Sequence, residues 1–162
     1  MKAEDAEAIT DIYNAYVLHT CITFETDAVS VVAMRERMAT ISRTYPCFVY
    51  EDEEGRVLGY CYAHQWKGKA AYRQTAETTI YVHPDHRGKG IGNLLMETLL
   101  QACERKGMHV LIACITVPNE PSVRLHEQLG FRKVSHFHQV GRKMGRWLDV
   151  YDFEKILPTR AE

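Results

Sequence analysis

The chain has 162 residues, 46% of them hydrophobic and 25% charged, with a net charge of −1 at neutral pH. That length suits one domain with a real core, spanning 1–162, and the near-neutral balance gives no electrostatic support to nucleic-acid or acidic-membrane binding. No apolar stretch approaches the roughly 18 residues that a membrane span needs, and the acidic opening Met1-Lys-Ala-Glu-Asp-Ala-Glu7 lacks a signal-type run. Five cysteines, at 21, 47, 61, 103 and 114, fall mostly in apolar surroundings without metal-ligand spacing, which suits reduced thiols and a cytoplasmic location.

Residues 4–18 place Ile9, Ile12, Tyr13, Tyr16 and Val17 on one face, with Glu4, Asp5 and Glu7 where a helix dipole favours acids. A first helix is therefore predicted. The segment Thr20 to Asp27 is polar and aromatic, and its Phe24 is either a core plug or a pocket wall. Val31, Met34, Met38 and Ile41 predict a second helix over 31–43, which Tyr45-Pro46 breaks. Residues 47–50 read as a strand, the acidic run 51–55 as its turn, and 57–63 as the returning strand. After a connection at 67–71, Tyr72 leads into a third strand of the same meander, Glu77-Thr-Thr-Ile-Tyr-Val-His83.

Pro84 ends that strand, and Arg87-Gly88-Lys89-Gly90-Ile91-Gly92 follows. Behind it, Ile91, Leu94, Leu95, Thr98, Leu99, Ala102 and Cys103 recur at helical spacing, predicting one buried face. Glycines let several amide hydrogens converge, the new helix adds unpaired N–H groups and a positive dipole end, and Arg87 and Lys89 add charge. An anion with several oxygens, a pyrophosphate above all, fits such a join. Charge-assisted hydrogen bonds contribute roughly 1.5–3 kcal/mol each. Four or five of them support micromolar binding, which needs about 8 kcal/mol.

Lys106-Gly107 caps this helix, and the apolar run 109–117 suits a strand buried on both faces, as in a parallel pair. Pro118-Asn119 stops it. Asn119 can cap a short helix that has Pro121 in its first turn and Gly130 at its end. Residues 131–140 and 147–156 read as closing strands around a basic loop, 141–146. The fold class is α+β, with one mixed, mostly antiparallel sheet flanked by helices. A dinucleotide-binding fold fails for want of a third glycine after Gly88 and Gly90, and no Gly-Lys-Ser/Thr closes a P-loop.

This order, with Arg87-Gly-Lys-Gly-Ile-Gly92 at its centre and Asn119-x-x-Ser122-x-x-Leu125-His126-Glu127-x-Leu129-Gly130-Phe131 after it, resembles the GNAT superfamily of acetyl-CoA-dependent N-acyltransferases. Residues 72–82, 122–127 and 140–150 look, more narrowly, like phosphinothricin and methionine sulfoximine/sulfone acetyltransferases, which acylate the α-amino group of glutamate- or methionine-like amino acids. Two departures stand out. The first strand of that fold is truncated or absent here, since only Met1-Lys2 precede the first helix, and Gln74 stands where several relatives carry an aromatic residue.

The resemblance implies acetyl-CoA as co-substrate, a small amino-acid substrate, a homodimer and no metal. It makes Glu77 the general base, where composition alone equally allows a structural partner of an arginine. His126 stands where many relatives place a tyrosine acid near the sulfur; it can protonate the thiolate, relay a proton from the amine, or simply pack. Backbone groups of Ile80, Tyr81 and Val82 are expected to pair with the pantetheine arm, with the Val82 amide polarising the thioester oxygen. Arg87, Gly88, Lys89, Gly90, Ile91, Gly92 and Asn93 would hold the pyrophosphate, and Asn119 would reach the cofactor from the facing helix. Phe24, Ala71, Tyr72 and Arg73 are the substrate-side residues, Arg73 being the natural clamp for a carboxylate or phosphinate. Arg142, Lys143 and Arg146 either add to that field, close over a partner's site, or form a solvated tip. His83-x-x-His86 and His136-x-His138 have ligand-like spacing, but no acidic or cysteine set stands near them in the sequence, so no metal is expected. A polyamine or protein N-terminus acetyltransferase, and a silent acetyl-CoA sensor, are the other readings.

Overall fold

The computed structural model describes residues 1–158, so the last four residues of the expected 1–162 domain lie outside it. In chain order it contains α1 (Ala6–His19), α2 (Val31–Ser42), β1 (Cys47–Glu51), β2 (Val57–Gln65), β3 (Thr75–Val82), α3 (Ile91–Arg105), β4 (Val110–Val117), α4 (Glu120–Gln128), β5 (Arg132–Lys143) and β6 (Arg146–Ile156). Among the described residues no strand precedes β1, as the sequence suggested. Asp5 closes the start instead, accepting the backbone amide of Lys2 just ahead of α1.

The six strands form one sheet in the order β1-β2-β3-β4-β6-β5. The β1–β2–β3 meander is antiparallel, and so are the β4–β6 and β6–β5 pairs. Only β3 and β4 run parallel, and they are paired over just three positions, Thr75↔Val110, Ala76↔Leu111 and Glu77↔Ile112. Beyond Glu77 the two strands part, and the gap between them is the cleft described below.

Helix α3 covers one face of the sheet with Ile91, Leu95, Met96, Leu99 and Cys103, against Leu58, Cys61, Ala63, Ala76, Leu111, Ala113, Ile115 and Phe153. Burying each such large aliphatic side chain contributes about 1.5–3 kcal/mol. The buried face is turned from the expected one: Leu94 is 53% exposed whereas Met96 is fully buried. Spacing cannot separate these two positions, because each lies at the margin of the same apolar stripe.

On the other face, α1 and α2 cover only β1–β3, through Ile9, Ile12, Tyr13, Tyr16, Val17, Met34, Met38 and Tyr60. The β4 run is buried on both faces along most of its length, as its composition suggested, Ile112 and Thr116 included; Cys114 between them stays exposed.

The basic stretch 141–146 is no loop. Strand β5 continues through Lys143 and turns on Met144 (φ 49°) and Gly145 (φ 74°) into β6. Two successive residues with positive φ make the tight turn that the strand twist favours. The Lys143 side chain is buried, and its Nζ donates to the Thr23 carbonyl at 2.8 Å.

Candidate active site

The cleft has a volume of about 870 Å³ and runs from the strap 22–24 and Glu77, along the parted strands, to the glycine loop and the start of α4. Its wall on the β3 side is an open strand edge. His83 N donates to the Leu58 carbonyl in β2, at 2.8 Å. Backbone groups alternate direction along a strand, so those of Val82 and Ile80 face away from β2 and into the gap. Tyr81 is a correction: its backbone faces β2. Its side chain packs on α1, with ring centroids 5.1 Å from both Tyr13 and Tyr16.

At the far end, Gly88 (φ 74°) and Gly90 (φ 83°) adopt left-handed conformations that a Cβ would strain. Gly90 is the N-cap of α3, so the amides of the first helical turn lack intrahelical acceptors and face the cleft. Arg87, Gly88, Gly90, Ile91, Gly92 and Asn93 all line it, as expected. Lys89 does not; its Nζ sits 3.5 Å from His86 Nδ1. Arg124 of α4 brings a second cation that sequence reasoning missed, because an arginine on a short helix carries no local signal. Asn119 lines the cleft while its Oδ1 accepts the Ser122 amide at the start of α4.

Glu77 sits in the last rung shared by β3 and β4, with its side chain 26% exposed in the cleft. His64, directly opposite on β2, places Nε2 3.8 Å from Glu77 Oε1. Cys114 faces the same space; although the residue is exposed, partial desolvation by the cleft walls and the nearby Glu77 and Asp152 carboxylates push its thiol above the ordinary range, so it stays protonated. Thr79, Thr116 and Thr23 complete a wall of short hydroxyls.

His126 also lines the cleft, although the residue is only 3% exposed. Its Nδ1 lies 2.8 Å from the Ser122 carbonyl and must therefore carry the proton. Its ring stands edge-on to Phe131, at 5.1 Å. Desolvation lowers its pKa, keeping the imidazole neutral. A neutral ring with Nδ1–H can accept a proton at Nε2 but has none there to give, so the arrangement suits a relay rather than the acid.

The strap 20–27 forms the end of the cleft beyond Glu77, opposite the glycine loop. Thr23 Oγ1 and Tyr13 Oη are 2.9 Å apart, Arg37 pairs with Glu25 at 2.7 Å, and Lys143 holds the Thr23 carbonyl. Phe24 is half-exposed and lines the cleft with its ring against Gly141, so it is a pocket wall. Ala71, Tyr72 and Arg73 are not brought there. They lie at an exposed turn before β3, where Tyr72 packs edge-on against Trp66. Tyr16 was missed: its hydroxyl donates to the Val82 carbonyl inside the cleft, although its spacing reads as core alone.

Residues 1–151 match the acetyltransferase (GNAT) domain family. The chain belongs to the GNAT acetyltransferases. It is 40% identical to a phosphinothricin N-acetyltransferase of Streptomyces coelicolor, over 95% of this chain and 92% of that one. It is 41% identical to an L-methionine sulfoximine/L-methionine sulfone acetyltransferase of Salmonella typhimurium, over 97% and 92%. A GNAT phosphinothricin acetyltransferase of Sinorhizobium meliloti, solved in complex with acetyl-CoA, superposes with a TM-score of 0.94 at 38% identity, covering 97% of this chain and 85% of that one. As a GNAT acetyltransferase the chain uses acetyl-CoA as donor, and an open β3 edge leading to an amide-lined loop suits that coenzyme.

Proposed function

We propose that this acetyltransferase acylates the α-amino group of a small amino acid or analogue, of the phosphinothricin or methionine sulfoximine/sulfone type, by direct transfer. The observation that carries the reading is one continuous track: Glu77 where β3 and β4 part, then the outward backbone of Ile80 and Val82, then the amides of residues 88–93. The named relatives support the substrate class.

An α-ammonium has a pKa near ~8 and must lose a proton before it can attack. Glu77 takes it, directly or through one water. The nitrogen then bonds to the thioester carbon, the tetrahedral oxyanion is held by a strand amide, and the departing thiolate takes the second nitrogen-borne proton, with His126 as relay. Strand geometry favours one amide for this role. Val82 is five residues from Glu77, or about 16 Å along an extended chain, too far for one reacting centre. The outward amide of Ile80, three residues away, takes that role, and Val82 serves the pantetheine arm.

Glu77 is the only carboxylate among the described lining residues, which disfavours a polyamine. Arg87 and Arg124, the two arginines of the lining, stand at the coenzyme end, so a substrate anion finds its partner in the 141–146 hairpin of a second copy. Exposed Val134, Phe137, Val140 and Trp147 on β5 and β6 support a homodimer. Five free thiols support a reducing, cytoplasmic setting, and among the described residues no helix is long and apolar enough to cross a membrane.

A thiol-release assay with acetyl-CoA and a panel of amines tests the substrate. Turnover with methionine sulfone or phosphinothricin is expected; turnover only with polyamines or peptides would overturn the assignment.

A further inference from the structure

Three side chains that acetyl transfer does not use converge on the β5–β6 hairpin. His136 and His138 lie two apart on β5, with ring centroids 3.9 Å apart, and Asp149 reaches them from β6. The sequence shows no acidic residue beside this histidine pair; the returning strand supplies one. Asp149 Oδ2 lies 2.7 Å from His136 Nε2 and 3.3 Å from His138 Nδ1, and all three ligand atoms fall within 4.8 Å of one another.

Two of the three groups are already held in place. Asp149 Oδ1 accepts the Gln139 amide at 2.9 Å, which leaves Oδ2 for a ligand. That amide is turned inward by the positive φ of Gln139 (52°), at the irregularity between Phe137 and Gly141. The His136 ring stands edge-on to Tyr151 with centroids 4.6 Å apart. None of the three residues lines the acetyl-transfer cleft.

We propose that His136, His138 and Asp149 bind one divalent transition-metal ion of the zinc type. Ligand atoms bound to tetrahedral zinc at about 2.0–2.1 Å lie about 3.3 Å apart, so the His138–Asp149 spacing already fits and the His136–Asp149 spacing opens by roughly 0.6 Å. Two imidazoles and one carboxylate suit a borderline ion better than calcium or magnesium, which prefer oxygen. Each facing ring nitrogen donates to Asp149 Oδ2; on binding the ion, each ring gives that proton to water, takes one on its other nitrogen, and turns the freed lone pair to the ion, so no redox co-reactant is needed. Water fills the fourth position, since the His138 side chain is 73% exposed. The ion ties the irregular stretch of β5 to β6. It takes no part in acetyl transfer.

Calorimetric titration of zinc chloride into the metal-stripped full chain is expected to show one equivalent bound, and cobalt(II) is expected to give the visible absorption of a four-coordinate ion. His138→Ala and His136→Ala each lower affinity at least about tenfold, the least that loss of a metal-supporting group costs. His83→Ala, which alters the other histidine pair, leaves affinity unchanged. Acetyl-transfer turnover of His138→Ala stays at the wild-type value, showing that the fold is intact. Absence of heat and colour in the wild type, or affinity that survives either ligand substitution, would overturn the site.

Discussion

Replacing Gly141 by alanine tests how the strap 20–27 is seated. A Cβ at Gly141 would lie 2.3 Å from Cζ, 2.4 Å from Cε2 and 2.8 Å from Cε1 of Phe24. Carbon atoms settle at about 3.5–4.0 Å, so the ring must withdraw by more than about 1 Å. It has an exit, being 39% exposed, and the exit is the cleft itself. Overpacking of this kind costs about 1–3 kcal/mol. In a domain of this size that lowers Tm by roughly 2–12 °C. The assay is thermal or urea unfolding of Gly141→Ala, alone and in a Phe24→Ala background. Without the ring the added methyl meets no clash, so the same substitution becomes neutral or stabilises by about 0.5 kcal/mol. The amino-acid KM rises in the single variant while the acetyl-CoA KM holds. Equal destabilisation in both backgrounds would refute the argument, because no coupling between the two positions would remain.

Glu77→Gln is expected to lower turnover by about 100-fold or more while acetyl-CoA affinity stays within about twofold, measured by thiol release and calorimetry; unchanged turnover would remove Glu77 as base. Gly90→Ala forces a side chain into φ 83° with no neighbour within 4 Å of its Cβ, so strain alone acts, at about 1–3 kcal/mol, and steady-state kinetics should show a raised acetyl-CoA KM with the amino-acid KM unchanged. His126 has a folded pKa below its ordinary 6.5, so below that pH the unfolded chain binds more protons and stability falls as pH drops through the window down to the folded value. Urea titrations from pH 7 to 5 should show that slope in the wild type and a shallower one in His126→Gln.

Much of the fold is written locally. Helix α1, the meander, the glycine turn into α3, and α4 between Asn119 and Gly130 each carry their own start or stop signal, and each appears where its residues place it. What escaped was set by neighbours distant in sequence. The exposure of Cys114 depends on α1 and α2 stopping at β3, which no property of β4 encodes. The strand through Arg142 and Lys143 looked like a solvated loop because a lysine is rarely buried; here the Thr23 carbonyl, 120 residues earlier, receives it. Of the candidate site, the glycine-loop end of the cleft was legible because its residues sit in one short run. The opposite end was not, since it is assembled from a strap, two strand ends and a hairpin. Ala71, Tyr72 and Arg73 show the difficulty: adjacency to β3 in the chain does not place a residue on the open side of that strand.

The three rungs between β3 and β4 have one more consequence. Each half of the sheet, β1–β3 and β4–β6, is a three-stranded leaf, and past Glu77 the seam between the two leaves strand-edge groups without a strand partner. On the proposed binding mode, a coenzyme arm entering there would mend the lattice by supplying acceptors and donors that a longer β4 would have offered. On that proposal recognition of the arm would rest mainly on main-chain groups, so that side chains around the track could vary while the reaction stays put.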